Sequence, residues 1–216
     1  MIIDNFKYKL FGRFKGRKKS KQISFNNYKV SIKDDIDHRN FNILDIGSGS
    51  GENALFLSNF YSNAKVITCE LFEDGNINLF NSIQINKIDN IRLFNGNVLE
   101  FLDKLNHFLI FDQIWILFPD PWPKKRHHKR RLINSSFLKK VHLYIKNSGK
   151  LMIASDSQSY IQSILEIIYD VKEFYCWKNQ RVAKWNYSNL ELPRTKFYRK
   201  AEKSNRNTMI FKLRKI

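Results

Sequence analysis

Cysteine, proline and acidic residues are all scarce in this chain, and each shortage narrows what it can be. Only two of the 216 residues are cysteine, Cys69 and Cys176, and neither falls in a metal-ligand spacing. That excludes a cysteine metal centre and fits a reducing compartment. No stretch approaches the roughly 18 apolar residues that a membrane-spanning helix needs. The first residues, interrupted by Asp4, Lys7, Lys9 and Arg13, lack the apolar centre of a secretory signal. The expectation is a soluble, cytoplasmic protein with no membrane partner and no metal. Acidic residues number 20 against 38 Lys and Arg, a formal net charge of +18. An excess of that size bears on partners rather than fold, with nucleic acid or an anionic membrane surface the usual ones. Enrichment throughout in Lys, Asn, Ile and Phe would also make a chain basic, but it would scatter the charge, and here the charge clusters.

What is present argues for a folded globule: 43% of residues are hydrophobic and 14% aromatic. The length suits one α/β domain, with no obvious linker. Three of only four prolines stand in one stretch, Phe118-Pro-Asp-Pro-Trp-Pro-Lys-Lys-Arg-His-His-Lys-Arg-Arg131, where the eight residues after Pro123 are all Lys, Arg or His. The stretch follows Phe111–Leu117, a run of large apolar residues that reads as a central strand of a parallel sheet. A stiff loop thus leaves that strand carrying the carboxylate of Asp120, the indole of Trp122 and a block of cations. In open α/β sheets ligands bind at this end of the strands. Asp120 is expected in a reaction centre, with the cations holding a polyanion beside it.

Taken in order, Lys7 to Lys21 carries eight Lys or Arg and no acid. Residues 1–25 read as a basic arm, either a solvated tail or a segment that orders on RNA or DNA, and residues 26–216 as the domain. Phe41-Asn-Ile-Leu-Asp45-Ile-Gly-Ser-Gly-Ser-Gly51 followed by Glu52–Phe60 reads as strand, glycine loop and helix. Gly47, Gly49 and Gly51 imply a tight turn and close approach of a ligand to the backbone. A dinucleotide fingerprint would space them differently and aim the helix at a pyrophosphate; Glu52 at the helix opening is a poor neighbour for phosphate. S-adenosylmethionine, with an amino-acid group and a positive charge, suits the acidic flank better. The strand Ala64–Glu70 ends in a carboxylate that can take two ribose hydroxyls or cap the helix Asp74–Asn86. Asn97, after the strand from Asn90, either reaches an adenine edge or only shapes its turn. A short helix at Leu99–Leu105 precedes the Phe111 strand. Arg131–Lys146 reads as a helix stopped by Asn147-Ser-Gly149, Lys150–Asp156 as a fifth strand and Tyr160–Val171 as a helix. Phe174–Trp185 and Thr208–Leu213 read as an antiparallel pair closing the sheet, with Pro193–Arg199 a basic loop between them.

These residues together resemble the bacterial, single-chain tRNA (guanine-N7-)-methyltransferases, over nearly the whole length from Gly12-Arg-Phe-Lys-Gly-Arg17 to Thr195-Lys196-Phe197. The Phe118–Arg131 stretch is the most specific part. The resemblance implies a class I methyltransferase fold, α/β and Rossmann-like, with a seven-stranded, mostly parallel sheet whose last strand is antiparallel and helices on both faces. It implies S-adenosylmethionine as donor and the variable-loop guanine of tRNA as acceptor. By position, it implies cofactor contacts at Asp45, Glu70 and Asn97, with the catalytic aspartate at Asp120. Substrate positions fall on Lys124, Asp156, Thr195, Lys196, Phe197 and Tyr198. Four positions depart from the family pattern. Asp45 replaces Glu with a shorter reach, Asn97 replaces Asp, Tyr198 replaces a Glu, and Ser155-Asp-Ser157 replaces Thr-Asp-Trp.

The chemistry is consistent with that implication. Guanine N7 carries a free lone pair, so methylating it requires alignment and no general base. The base becomes cationic, and a carboxylate beside it stabilises the developing charge. Asp120 is assigned this role together with hydrogen bonds from the guanine edge, with Asp156 assisting. Trp122 either stacks on a base or braces the loop. Lys124, Lys125, Arg126, Lys129, Arg130 and Arg131 are expected on phosphates, with His127 and His128 as weak phosphate donors. A methyltransferase acting on another nucleic acid and a non-catalytic RNA-binding relative are the competing readings. Whether the protein is a monomer or a homodimer is left open by the sequence.

Overall fold

The computed structural model describes residues 36–189 and 192–216. The basic arm of residues 1–25 lies outside the described residues. Seven strands form one sheet in the order β3-β2-β1-β4-β5-β7-β6. They are β1 (Phe41–Ile46), β2 (Ala64–Glu70), β3 (Ile91–Asn95), β4 (Phe111–Leu117), β5 (Ile145–Ser155), β6 (Tyr175–Trp177) and β7 (Met209–Lys215). The first five are parallel, and β7 runs antiparallel between β5 and β6. The helices are α1 (Glu52–Phe60), α2 (Glu73–Asn86), α3 (Val98–Lys104), α4 (Ser135–Tyr144), α5 (Gln158–Asp170) and α6 (Lys196–Lys203). The expected sheet, with its last strand antiparallel, is the one found.

Central strands read as continuous apolar runs because both faces are covered. One core layer joins the sheet to α3, α4 and α5 through Phe101, Phe137, Leu138, Ile161 and Ile164. The other joins it to α1, α2 and α6 through Leu57, Leu79, Ile83, Tyr187 and Tyr198. All parallel strands end at one edge, so the segments after β1, β2, β3, β4 and β5 converge there.

Four expectations about elements are corrected. The helix expected from Arg131 starts only at Ser135, where the Asn134 side chain accepts from Phe137 N at 2.9 Å and caps it. It ends at Tyr144, and the supposed stop at Asn147–Gly149 lies inside β5. There Ser148 adopts φ 61° and the register against β4 shifts, a bulge rather than a helix end. The strand expected over Phe174–Trp185 is only three residues long. Asn179 breaks it: its side chain donates to the carbonyls of Lys184 and Ile210 and accepts from Lys212 N, taking the bonds a longer strand would make. Trp185 then folds back to stack on Trp177. Finally, the basic loop at Pro193–Arg199 is largely helical. Thr195 accepts from Tyr198 N at 3.2 Å and opens α6.

Candidate active site

The glycine loop follows from strand geometry. Gly47 and Gly49 adopt φ of 74° and 55°, the left-handed region that a side chain rarely tolerates. Gly47 N donates to Cys69 O of the neighbouring strand, and Gly49 N to a Glu70 carboxylate oxygen at 2.7 Å. The other Glu70 oxygen accepts from Phe72 N at 2.8 Å. Glu70 is therefore fixed at the lip of the loop by two backbone donors, each of its oxygens keeping a lone pair. It does not cap α2 beyond the Phe72 contact. Asn97 accepts from Leu99 N at 2.8 Å, so its oxygen caps α3 and shapes the turn, and the residue also lines the cavity.

Asp45 and Gly51 stand apart from these. Asp45 is 1% exposed and turned toward α1, where Asn53 donates to it at 2.8 Å. Burial lifts its carboxyl to about 7; the Asn53 hydrogen bond opposes the rise and the charge of Glu70 adds to it. Its second oxygen and the Ser48 hydroxyl are buried without a hydrogen-bond partner among the described residues. Gly51 serves packing, since a Cβ there would lie 2.3 Å from Leu79 Cδ1.

Across the gap, β4 delivers the proline loop. Phe118 N still pairs with Ala154 O, but Phe118 and Trp122 adopt φ of 53° and 43°. Left-handed backbone at two bulky residues costs about 1–3 kcal/mol each and persists only where the surroundings enforce it. Arg131 supplies that enforcement. It is 6% exposed, donates to the Pro121 carbonyl at 2.9 Å and to the Ser159 carbonyl and hydroxyl, and stacks over Tyr160 at 4.7 Å. The expectation that Arg131 contacts phosphate is thus corrected: a cation with four internal contacts is a bracket for the loop. His128 belongs to the same bracket, 3.0 Å from an Arg131 nitrogen. Trp122 braces as well, edge-on to His127 with Arg130 over its ring at 5.0 Å. Lys124, Lys125, Arg126 and Lys129 remain exposed, most of them on a 3-10 turn.

Asp120 stands at the crest of this loop. Its side chain is open to solvent, yet partial burial against the loop raises its pKa. One cavity of about 770 Å³ has Gly47, Gly49, Glu70 and Asn97 on one wall and Asp120 and Trp122 on the other. Asp45 and Gly51 are not on its walls. The substrate positions divide. Thr195 and Tyr198 face inward, Tyr198 stacking on Tyr187 at 4.8 Å, whereas Lys196 and Phe197 are exposed and Phe197 roofs the cavity near Gly49. Asp156, after β5, accepts from Arg206 Nε at 2.8 Å and is not on the cavity wall.

Two contacts around the site exist only in the folded chain. Gly75 lets α2 touch the glycine loop, since a Cβ there would lie 2.4 Å from Gly49 O. A glycine inside a helical pattern was the available signal. Glu52 pairs with Arg199 and accepts from Lys196 N, tying α6 to the start of α1. Among the described residues no cluster of His, Cys, Asp or Glu has the form of a metal site, and no helix is long and apolar enough to cross a membrane.

A family model described as "Putative methyltransferase" matches residues 39–211. A tRNA (guanine-N(7)-)-methyltransferase of Wolbachia pipientis wMel is 31% identical over 89% of this chain and 83% of that protein. One of the same name from Corynebacterium diphtheriae is 35% identical over 58% of this chain, which spans about half (49%) of that relative's length. Among solved structures, a "putative methyltransferase" from Streptococcus mutans in complex with SAH aligns with a TM-score of 0.56 at 14% identity. That alignment covers 84% of this chain and 91% of the other.

Proposed function

Because the chain belongs to the tRNA (guanine-N(7)-)-methyltransferase family, we propose that it transfers a methyl group from S-adenosylmethionine to N7 of a tRNA guanine, the one in the variable loop. The observation that carries the reading is that one cavity has Glu70 on one side and Asp120 on the other, with exposed cations at its rim. The donor wall fits such a cofactor. A Cβ at Gly47 would meet nothing within 4 Å, so the loop is open to a ligand, and Glu70 is held ready for two hydroxyls. The unpartnered Ser48 hydroxyl and Asp45 oxygen leave polar capacity under the loop. The cofactor, when bound, supplies a methyl already activated by its sulfonium.

The protein's own residues do the rest. The bracketed loop holds Asp120 where the guanine ring becomes cationic, and its fixed charge stabilises that change without reorganising. The raised pKa of Asp120 in the free protein falls back once a cationic ring is its neighbour. Alignment by the two rigid walls supplies the remaining advantage, since N7 has no proton to remove. Lys124, Lys125, Arg126 and Lys129 hold phosphates, which suits recognition of RNA by shape. Lys196 and Phe197 act at the cavity mouth, and the site of action is cytoplasmic.

The test is incubation with labelled S-adenosylmethionine and an unmodified tRNA transcript, followed by chemical cleavage at 7-methylguanine. Label at one variable-loop guanine is the expected result. Label at another base refutes the substrate assignment, and absence of label with tRNA bound refutes catalysis.

A further inference from the structure

A second cavity, of about 400 Å³, opens on the sheet face that carries α1, toward the opposite end of the strands from Asp120. Alternation along the strands puts Gln113 and Trp115 of β4, Lys150 and Met152 of β5 and Lys212 of β7 on this face. Their register makes them neighbours: Gln113 stands beside Lys150, Trp115 beside Met152, and Met152 beside Lys212. A sheet face that packs a helix ordinarily presents apolar side chains. Here two lysines occupy it, and Lys178, whose N–H donates to Lys212 O, adds a third.

None of the three lysines has a carboxylate partner among the described residues. Burial and the charge of Lys150 lower the pKa of Lys212, as expected for cations gathered without a counter-charge. The opposing wall is aromatic. Phe56 stacks on Phe60 at 5.7 Å, Phe60 meets Tyr61 edge-on at 4.8 Å, and Tyr61 stacks on Phe41 at 5.5 Å. Phe60 is 60% exposed, so much of its ring is open to a partner. The floor has no spare indole donor, because Trp115 Nε1 already donates to Gln113 at 2.9 Å.

Ammonium groups with no carboxylate partner among the described residues, facing an open ring, match one ligand chemistry, a nucleotide, whose phosphate meets the cations and whose base meets the ring. An apolar partner would bury three ammonium groups with no compensation. An acidic peptide would use the lysines and leave the rings idle. We propose that this groove is a second RNA contact, holding an unpaired nucleotide of the tRNA away from the guanine that is methylated. The inference rests on the tRNA reading above. Gln113 lies about 13 Å along β4 from Leu117, at roughly 3.3 Å per residue, and the loop carries Asp120 beyond that end of the strand, a separation that a folded RNA bridges.

The experiment compares Lys178→Ala/Lys212→Ala and Phe60→Ala with a control, Lys139→Ala/Lys172→Ala, which removes the same charge from the other helical layer. These side chains are exposed or half-buried, and none belongs to the site already described. Dissociation constants for the tRNA transcript are measured across a salt series, alongside donor affinity and the single-turnover methylation rate at saturating tRNA. The groove lysine pair should weaken tRNA binding about 10-fold at low salt and reduce the slope of log affinity against log salt by about 1. Phe60→Ala should weaken binding by about 5-fold or more with the slope unchanged. Donor affinity and the saturating rate should stay at parental values in both. Groove variants that bind tRNA no differently from the control overturn the proposal while leaving N7 methylation standing. If the parent protein labels no tRNA guanine but the groove variants still lose RNA affinity and salt slope, the methylation reading falls and the groove stands.

Discussion

Arg131 closes the block of cations after Pro123, and in the folded chain its guanidinium reaches back under the proline loop to the Pro121 carbonyl and across to Ser159. Replacing it with methionine keeps comparable bulk and removes every donor. A hydrogen bond from a charged group contributes about 1.5–3 kcal/mol net. Ser159 is solvent-accessible, so water recovers part of its two bonds, while the half-buried Pro121 carbonyl keeps most of its loss. Removing a buried guanidinium also returns some desolvation cost. The balance is a destabilisation of about 3 kcal/mol, or roughly 6–12 °C in melting temperature for a chain of this size. Arg131→Lys should fare little better, because an ammonium cannot fork between the two segments. Thermal melts and a tRNA-binding salt series, run on both variants, check the reasoning. Unchanged melting with a salt slope shallower by about 1 would falsify the bracket and restore Arg131 as a phosphate contact.

Other outcomes follow from the same geometry. Asp120→Asn should lower the single-turnover rate by about 100-fold or more with tRNA affinity unchanged; a rate near the parental value removes Asp120 from the reaction. Glu70→Gln should weaken donor binding about 10-fold, because one oxygen of the lip becomes a donor facing ribose hydroxyls; isothermal titration with S-adenosylhomocysteine reads this directly, and unaltered affinity refutes it. Gly75→Ala should lower melting temperature and donor affinity together, because its methyl group displaces the Gly49 carbonyl; normal affinity would show that α2 does not hold the loop. Asp45 makes a pH prediction. Its folded pKa of about 7 stands above the ordinary carboxylate value of 3.8, so the folded state binds the proton more tightly, and stability from this group falls as pH rises from about 4 to 7. Asp45→Asn should therefore melt higher than the parent by an amount that widens between pH 5 and pH 7 and levels off above it. A flat difference would place the Asp45 pKa outside that window.

Much of the edge where the site forms was legible in the chain. The bounds of β1 and β2 and the start of α1 were readable because buried apolar runs end sharply at polar or glycine residues. The carboxylates Glu70 and Asp120 were identifiable because parallel strands all end at one edge. What failed did so for tertiary reasons. Tyr198 reads as one more residue of a basic loop, but Tyr187 offers it a stacking partner and Thr195 caps the turn, so helix formation wins over loop. The short β6 follows from the Asn179 side chain taking backbone partners, which no pattern of apolar residues signals.

The sequence by itself determined the fold class, the glycine loop, the proline loop with Asp120 at its centre, and the surplus of cations, since each depends on local stiffness, periodicity or composition. Only the tertiary structure decided which charges face solvent and which face inward. Arg126 and Arg131 look alike in the chain, yet one stays in water while the other finds the carbonyls of Pro121 and Ser159. Asp45 likewise reads in the chain only as a carboxylate before the glycine loop, and the fold buries it, with one oxygen held by Asn53 and the other left over beneath that loop. Burial and hydrogen-bond partners come from residues distant in sequence, and the direction of a side chain is set by what those neighbours leave unpaired.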